Sequence, residues 1–254
     1  MAETGRYVYA VCRNLDPGSL AQVAGLSGGR LETVEHRGLT AVVSTVDLGE
    51  YGEEGLRANL ENLAWLEQAA RGHDTVIQAI AQVAPVAPLR LATICLDDDG
   101  VRRRLTEWHA PLEQILDRVE GRSEWSVKVF TDARAATAAK PPESVAGGGA
   151  AYLQRKKAET QARATGEAAA LAAAEHIHQV LAGAALADRR LPAQDPRLTG
   201  HEGTMVHNGA YLVETDGGEA FLAHVDALVA DHPDVTIGVR GPWPPYSFAM
   251  LEQH

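Results

Sequence analysis

Acidic and histidine side chains are the residue types in this sequence that could bind a metal ion. One group is the triplet Asp97–Asp99. A calcium loop needs a longer pattern of oxygen ligands that ends in a bidentate acid, whereas Gly100–Arg104 supplies cations instead. Acidic side chains also stabilise the start of a helix through the helix dipole. We therefore interpret the triplet as the N-terminus of a helix.

Histidines offer a second possible metal chemistry. Glu175, His176 and His178 do not form an HExxH pattern, and histidines two residues apart point to different faces of a helix. Four more potential ligands follow along the chain: His201, Glu202, His207 and His224. Nothing in their spacing requires them to meet around one ion. The sequence therefore predicts no metal and no cofactor.

Motifs of catalysis and nucleotide binding are also missing from the sequence. The run Gly25–Gly29, GLSGG, has the spacing Gly-x-Ser-x-Gly, but it precedes a predicted strand instead of a helix, so it is not a nucleophile elbow. The sequence contains no phosphate loop ending in Gly-Lys-Ser/Thr and no Gly-x-Gly-x-x-Gly after a strand. Gly147–Gly149 precedes a predicted helix but lacks the lysine and hydroxyl of a phosphate loop. We predict that the protein is not an enzyme.

Without such motifs, the candidate functional residues are those that could bind another protein. The clearest candidate is the run Gly241–Phe248, GPWPPYSF. Three prolines exclude a helix interior, so the run must be extended, with Trp243 and Tyr246 offering broad faces for packing. The alternating residues of Val235–Arg240 predict a strand that leads into it. The run either covers a core or forms a docking surface.

A second candidate contact lies near the start of a long alanine-rich helix, predicted from Ala150 to about Ala187. Arg155, Lys156 and Lys157 form a small basic patch there, which is either a solvated face or a surface for an acidic partner. The predicted partner-binding residues are Trp243, Pro244, Pro245, Tyr246, Tyr152, Arg155, Lys156 and Lys157.

Composition limits the class of protein. The chain has 254 residues and a formal net charge of −11, which argues against nucleic-acid binding because that needs a clustered basic face. No run approaches the length of apolar sequence that spans a membrane, and the start of the chain does not resemble a signal peptide. We expect a cytoplasmic protein that binds neither nucleic acid nor membrane.

Hydrophobic periodicity predicts the elements of the first half. Predicted strands are Arg6–Arg13, Arg30–His36, Leu39–Val46 and Val86–Leu96, and predicted helices are Leu56–Ala70, Asp74 to Pro85 and a segment after Asp99. The last helix should kink or restart near His109 because Pro111 interrupts it. His73 should be a solvated linker residue between two helices. Arg90 should reach solvent or pair with Asp97 or Glu61, since burying an unpaired guanidinium is costly.

The second half reads strand, long helix, strand, strand, helix, strand, which is the order of a split βαβ, ferredoxin-like unit. The first half resembles a variant of it. We predict an α+β protein with two ferredoxin-like or variant domains in series. Residues 1–121 form the first and 122–240 the second, which contains the long helix and a flexible loop at 131–149, and 241–254 form a proline and aromatic C-terminal tail.

Five segments of the chain resemble the GvpF/GvpL family of gas vesicle accessory proteins. They are YVYAVC, PLRLATIC, AAYLQRKK, QDPRLTG and GPWPPYSF, in this order from start to end. The resemblance implies an accessory or minor structural protein required for gas vesicle assembly, located at the vesicle or in the cytoplasm. It implies binding to the small shell protein and to other accessory proteins, without catalysis, and it implies no particular binding residues.

Composition agrees with a helper and not with the vesicle wall. A shell subunit must present extended apolar surface to gas, whereas 22% of this chain is charged. The alternative that stays open is a regulatory module that binds a small molecule and has no catalytic activity. Such a module would contain an enclosed polar pocket and would be stabilised by its ligand.

Overall fold

Two compact units make up the computed structural model, which describes residues 3–131, 149–194, 201 and 203–249. Unit 1 comprises Met1–Arg122 together with Trp243–His254, and unit 2 comprises Ser123–Pro242. Unit 1 is therefore built from two separate stretches of the chain. Each unit contains one antiparallel sheet with helices, which gives the mixed α and β composition that the sequence predicts.

The sheet of unit 1 has five strands: β1 Thr4–Cys12, β2 Leu31–His36, β3 Leu39–Asp47, β4 Val86–Pro88 and β5 Ile94–Cys95. Their order is β2-β3-β1-β4, and β5 also pairs with β1. The register between β1 and β3 shifts between Val8 and Ala10, so Tyr9 is an extra residue at a β-bulge. Because of this bulge, Val8 and Val11 belong to the same core cluster although they are three residues apart.

Five α-helices complete unit 1: α1 Leu48–Tyr51, α2 Glu53–Asn59, α3 Leu63–Ala81, α4 Asp98–Glu107 and α5 His109–Val119. One core cluster joins the sheet to α4 and α5 through residues such as Leu105, Leu112 and Leu116. Another joins it to α3 through Ile77 and Ile80. The sheet of unit 1 is therefore packed on both faces.

The interpretation of the aspartate triplet and the prediction for Pro111 are confirmed. The Asp97 carboxylate accepts the Gly100 N–H at 2.7 Å, which caps α4. α4 ends at Glu107 and α5 begins at His109, with Pro111 in the first turn of α5 where a missing N–H costs little.

The prediction of one continuous strand at Val86–Leu96 is wrong. The chain turns between β4 and β5, where Ala92 adopts a φ of 62°. Its backbone is satisfied in the turn, because the Thr93 N–H donates to the Arg90 carbonyl and the Ala92 N–H donates to the Tyr7 hydroxyl. Arg90 is exposed in this turn, so the question of a buried guanidinium does not arise.

The predicted break between two helices at Gly72 and His73 is also wrong. The break lies earlier, at Asn62, whose side chain accepts the N–H groups of Ala64 and Trp65 and starts α3. Gly72 lies within α3 at its closest approach to Leu26, where an added Cβ would come within 2.7 Å of that side chain.

Unit 2 contains strands β6 Arg122–Thr131, β7 Ala187–Arg190, β8 Met205–Glu214 and β9 Val235–Trp243, and helices α6 Gly149–Ala184 and α7 Gly218–Asp231. The strand order is β7-β8-β6-β9. Buried residues of α6, such as Ala170, Ala174 and Ile177, share a core cluster with β8 and α7. Counted within each unit, both sheets have the order second, third, first, fourth; the ferredoxin-like interpretation stays a prediction.

The sequence predicts a separate tail from residue 241, whereas the structure assigns this segment partly to a strand and partly to unit 1. β9 runs on to Trp243, and the chain after it belongs to unit 1, where Phe248 and Ala249 are buried. The predicted loop at 131–149 lies outside the described residues except for its ends, since Thr131 is in β6 and Gly149 begins α6. Within the described ranges, none of the helices is long and apolar enough to cross a membrane.

We expect Leu116→Ala to lower the free energy of unfolding by about 2–5 kcal/mol, because it leaves a cavity beneath the sheet of unit 1. Leu116 is fully buried, whereas Leu63 is 79% exposed at the start of α3. Leu63→Ala is therefore the matched control and should change stability by less than about 0.5 kcal/mol. Chemical denaturation followed by circular dichroism measures both, and equal losses would contradict the assignment of the core.

Candidate functional site

The C-terminal segment after β9 forms a turn with internal hydrogen bonds, and its side chains pack within unit 1. The Tyr246 N–H donates to the Pro244 carbonyl at 2.8 Å and the Phe248 N–H donates to the Pro245 carbonyl at 3.0 Å. Pro244 and Pro245 are buried. The segment is thus a compact turn whose prolines face the protein.

Tyr246 forms the polar attachment of this turn. Its hydroxyl donates to Asp74 Oδ1 at 2.7 Å, which connects the segment to α3 across 172 positions in sequence. Its ring packs against the core cluster that contains Ile77. Burial, followed by the hydrogen bond to the Asp74 carboxylate, raises the pKa of Tyr246 well above its ordinary value, so the phenol stays protonated.

Trp243 is the most exposed of the four predicted contact residues in the C-terminal run, Trp243–Tyr246. It is 45% exposed at the end of β9, whereas the two prolines that follow are buried and Tyr246 is half-buried. Gly241 allows the chain to reach this position, because its φ of 148° and its close approach to Trp125 leave no room for a side chain. Direct contact with a partner at this segment would therefore be made chiefly by Trp243.

The second predicted contact lies in the first half of α6. Lys156 and Lys157 are exposed there, while the side chains of Tyr152 and Arg155 lie outside the described residues. Between 154 and 169, all the residues whose surroundings are described are exposed, and the first buried residue of the helix is Ala170. The described residues of this half of α6 are thus not packed into the core of unit 2, which is compatible with a solvated face and with a surface for an acidic partner.

A buried group of polar rings lies between α6 and β8, and sequence reasoning missed it. The Tyr211 hydroxyl is 3.0 Å from His178 Nδ1 and 3.0 Å from His207 Nε2, and His178 Nε2 is 3.4 Å from Asp188 Oδ2. A hydroxyl has one proton, so it donates to one imidazole and accepts from the other. A neutral arrangement satisfies every contact when His178 donates to Asp188, Tyr211 donates to His178 and His207 donates to Tyr211.

Charge at the centre of this group is strongly disfavoured. Burial, followed by repulsion from His178 and Arg190, lowers the pKa of His207 to about 4. Burial raises the pKa of Tyr211. Arg190 is itself bound to both oxygens of Glu175 at 2.8 Å. These contacts join α6, β7 and β8.

His73 is the corresponding buried histidine of unit 1. Its Nδ1 is 2.9 Å from the Tyr7 hydroxyl and its Nε2 is 3.2 Å from the Leu89 carbonyl, so the expectation of a solvated linker residue is wrong. Burial lowers its pKa. One pattern in the sequence could have indicated this burial, since His73 lies four residues before Ile77 on the apolar face of the helix.

Three of the four potential metal ligands of the second half are described, and they make separate contacts. His207 is bound to Tyr211, His201 stacks on Phe130 at 4.1 Å between ring centres, and His224 is exposed. Glu202 lies outside the described residues. Among the residues that are described, no three histidine, cysteine or acidic side chains are arranged to hold a metal ion.

The surface of unit 1 includes the following two clefts. A cleft of about 490 Å³ is lined by Arg6 and by the start of α4. The positive charge of Arg6 in this cleft is compensated, because its guanidinium donates to Asp98 at 2.7 Å and to Glu32 at 2.8 Å. The other, of about 340 Å³, lies between Tyr51, Trp65 and the turn at Leu26–Gly28.

Comparisons with known proteins agree along the whole chain. The sequence model of a family described as "Gas vesicle synthesis protein GvpL/GvpF" matches residues 5–250. Gas vesicle protein L of a Streptomyces species is 40% identical over 98% of this chain and 94% of its own length. Gas vesicle protein F of the same species is 30% identical over 95% of this chain and 98% of its own length.

The fold is similar to that of a solved protein. The crystal structure of GvpF from an Anabaena species superposes with a TM-score of 0.69 at 19% identity. The match covers 99% of this chain and 98% of that one. At this identity the similarity concerns the fold.

Tyr246→Phe should lower the free energy of unfolding by about 1 kcal/mol, because it removes the hydrogen bond to Asp74 and leaves the ring packing intact. Asp74→Ala removes the same bond from the other side. If the bond is the main effect, the double variant should cost little more than either single variant. Urea denaturation of the four proteins tests this, and fully additive losses would contradict the coupling.

Acid should destabilise unit 2 through His207. The folded state keeps this side chain neutral down to about pH 4, whereas the unfolded chain binds a proton below its ordinary pKa of 6.5. Stability should therefore be level above pH 6.5 and fall as the pH decreases towards 4. His207→Gln removes this contribution, so its loss of stability between pH 7 and pH 4 should be smaller by up to about 3 kcal/mol.

Denaturation curves at several pH values measure this difference. The matched control is His224→Gln, since His224 is exposed on α7. This variant should keep the pH dependence of the wild-type protein. An acid loss that is unchanged in His207→Gln would refute the role of His207.

Proposed function

Since the chain belongs to the gas vesicle synthesis protein GvpL/GvpF family, we propose that it is an accessory or minor structural protein needed to assemble gas vesicles. It acts by binding the small shell protein and other accessory proteins, and it carries out no catalysis. It is located in the cytoplasm and at the vesicle. The observation that carries this proposal is the family match over residues 5–250, since it covers both units.

The chemistry of the described residues supports action by contact. The buried histidines and tyrosines bond to one another or to the backbone, as in the Tyr211 group and at His73. Both cysteines, Cys12 and Cys95, are buried, and burial raises the pKa of each thiol, which makes them poor nucleophiles. These polar groups stabilise the fold of each unit instead of converging on a substrate.

Two exposed features of different chemistry are the contact points that we propose. Trp243 offers a large, rigid aromatic surface, the type of side chain that dominates binding energy at interfaces. Lys156 and Lys157 provide positive charge on a part of α6 that has no packing partner within the described residues. Arg155 and Tyr152 belong to the same stretch of sequence. Pro244, Pro245 and Tyr246 contribute by holding Trp243 in place.

We expect Trp243→Ala to weaken capture of the coexpressed shell protein by about tenfold or more, because a central aromatic contact is worth about 2 kcal/mol or more. Lys156→Ala with Lys157→Ala should weaken it less and only at low salt, since exposed charges are screened. Affinity pulldown from cells that express both proteins, at low and high salt, is the measurement.

Controls of the same type come from elsewhere on the chain. Val229→Ala removes an apolar side chain that is also about half exposed, and Arg102→Ala with Arg103→Ala removes an exposed pair of cations. Capture that is unaffected by the Trp243 and lysine changes would exclude those contact points. A wild-type protein that captures neither the shell protein nor another accessory protein would refute the proposed function.

A further inference from the structure

The cleft at Tyr51 and Trp65, called here the Tyr51 cleft, is shaped by close backbone approach. Gly72 of α3 lies against Leu26, and a Cβ at Gly25 would come within 2.7 Å of the Tyr9 hydroxyl. The turn between them contains Ser27 and Gly28 with φ of 53° and 74°. Small residues thus bring the turn close to α3, and the space left beside them, about 340 Å³, is at the small end of the range for ligand pockets.

Two aromatic side chains form one side of the Tyr51 cleft. The rings of Tyr51 and Trp65 are 5.4 Å apart between centres and inclined by 49°. Tyr51 is buried and makes an edge contact with Tyr7 at 5.8 Å between ring centres. The Trp65 indole donates to Glu50 Oε1 at 2.6 Å. Both rings are therefore fixed before any ligand arrives.

Glu50 is the one charged residue that lines the Tyr51 cleft, and the lining contains no lysine, arginine or histidine. One of its oxygens receives the Trp65 indole, while the other has no hydrogen-bond partner among the described residues. The nearest basic side chains along α2 and α3 are engaged elsewhere, because Arg57 pairs with Glu53 and Arg71 pairs with Glu67. The cleft therefore combines aromatic faces with an uncompensated negative charge.

We propose that the Tyr51 cleft binds an arginine side chain of a partner protein. Aromatic faces attract cations through the ring quadrupole, and a planar guanidinium can stack on Trp65 while it donates to the free oxygen of Glu50. Lysine has a compact ammonium that lacks this planar stacking. Free arginine is a poorer match, because its own carboxylate would find no basic side chain in the lining.

This site differs from Trp243 and the lysines of α6, and it rests on the cleft alone. Its occupant is defined by side-chain chemistry and not by which protein supplies it. A direct titration with a blocked arginine involves no gas vesicle protein. Failure of that titration would therefore leave the assembly role untouched, and failure of the shell-protein pulldown would leave the cleft untouched.

The test uses the full chain labelled with ¹⁵N and the probe N-acetyl-arginine-N-methylamide. The Trp65 indole resonance, identified by its loss in Trp65→Phe, should shift and saturate. The citrulline analogue has the same shape without charge and should bind about tenfold or more weakly, because a charge-assisted hydrogen bond is lost. Free arginine should also bind more weakly than the blocked probe.

Two variants locate the charge. Glu50→Gln keeps an oxygen for the Trp65 indole and should weaken the probe by about tenfold. Glu53→Gln makes the same change on an exposed side chain of α2 outside the lining, and it should leave affinity unaltered. An indole signal that does not shift with the probe, equal binding of the citrulline analogue, or unaltered affinity in Glu50→Gln would each overturn the proposal.

Discussion

The return of the chain to unit 1 after it has formed unit 2 is the constraint on which the architecture depends. Trp243–His254 belong to the same unit as the first strand, and the Tyr246 hydroxyl reaches Asp74 across 172 positions. Bringing such distant positions together costs conformational entropy that grows slowly with the length of the loop. A folded unit 2 shortens the effective loop, so closure of unit 1 and folding of unit 2 are energetically linked.

This constraint explains why the end of the proline and aromatic run is buried. A segment that only covered the surface could have been polar, but Phe248 is buried and Ala249 belongs to a core cluster of unit 1. The prolines between these residues and β9 limit the conformations of the unfolded segment. These prolines thus reduce the conformational entropy that the segment loses when it packs onto unit 1. The single large side chain left outside is Trp243, and its backbone is fixed by strand β9 on one side and by the buried prolines on the other.

Local signals were enough to predict the elements whose packing follows their own periodicity. β3 and α5 could be placed from apolar patterns, and the cap at Asp97 and the helix restart before Pro111 lie where short-range chemistry puts them. Prediction failed where a distant residue decided the local structure. The segment at 86–96 reads as one apolar strand, yet the Tyr7 hydroxyl stabilises a turn at Ala92. No pattern within that segment could reveal this contact.

Contacts between distant residues also explain why the buried polar cluster of unit 2 could not be predicted. His178 and His207 are 29 positions apart, and they share a hydroxyl because β8 lies beside α6, so sequence spacing alone could not join them. In that cluster both ring nitrogens of His178 and Nε2 of His207 have hydrogen-bond partners. These bonds stabilise the packing of the helix on the sheet. The Tyr51 cleft differs, since one oxygen of Glu50 has no hydrogen-bond partner among the described residues and lies beside two aromatic rings. The two sites therefore differ in physical role, because a satisfied cluster stabilises the packing of helix on sheet, whereas a carboxylate oxygen without a partner beside fixed rings can accept a further hydrogen bond.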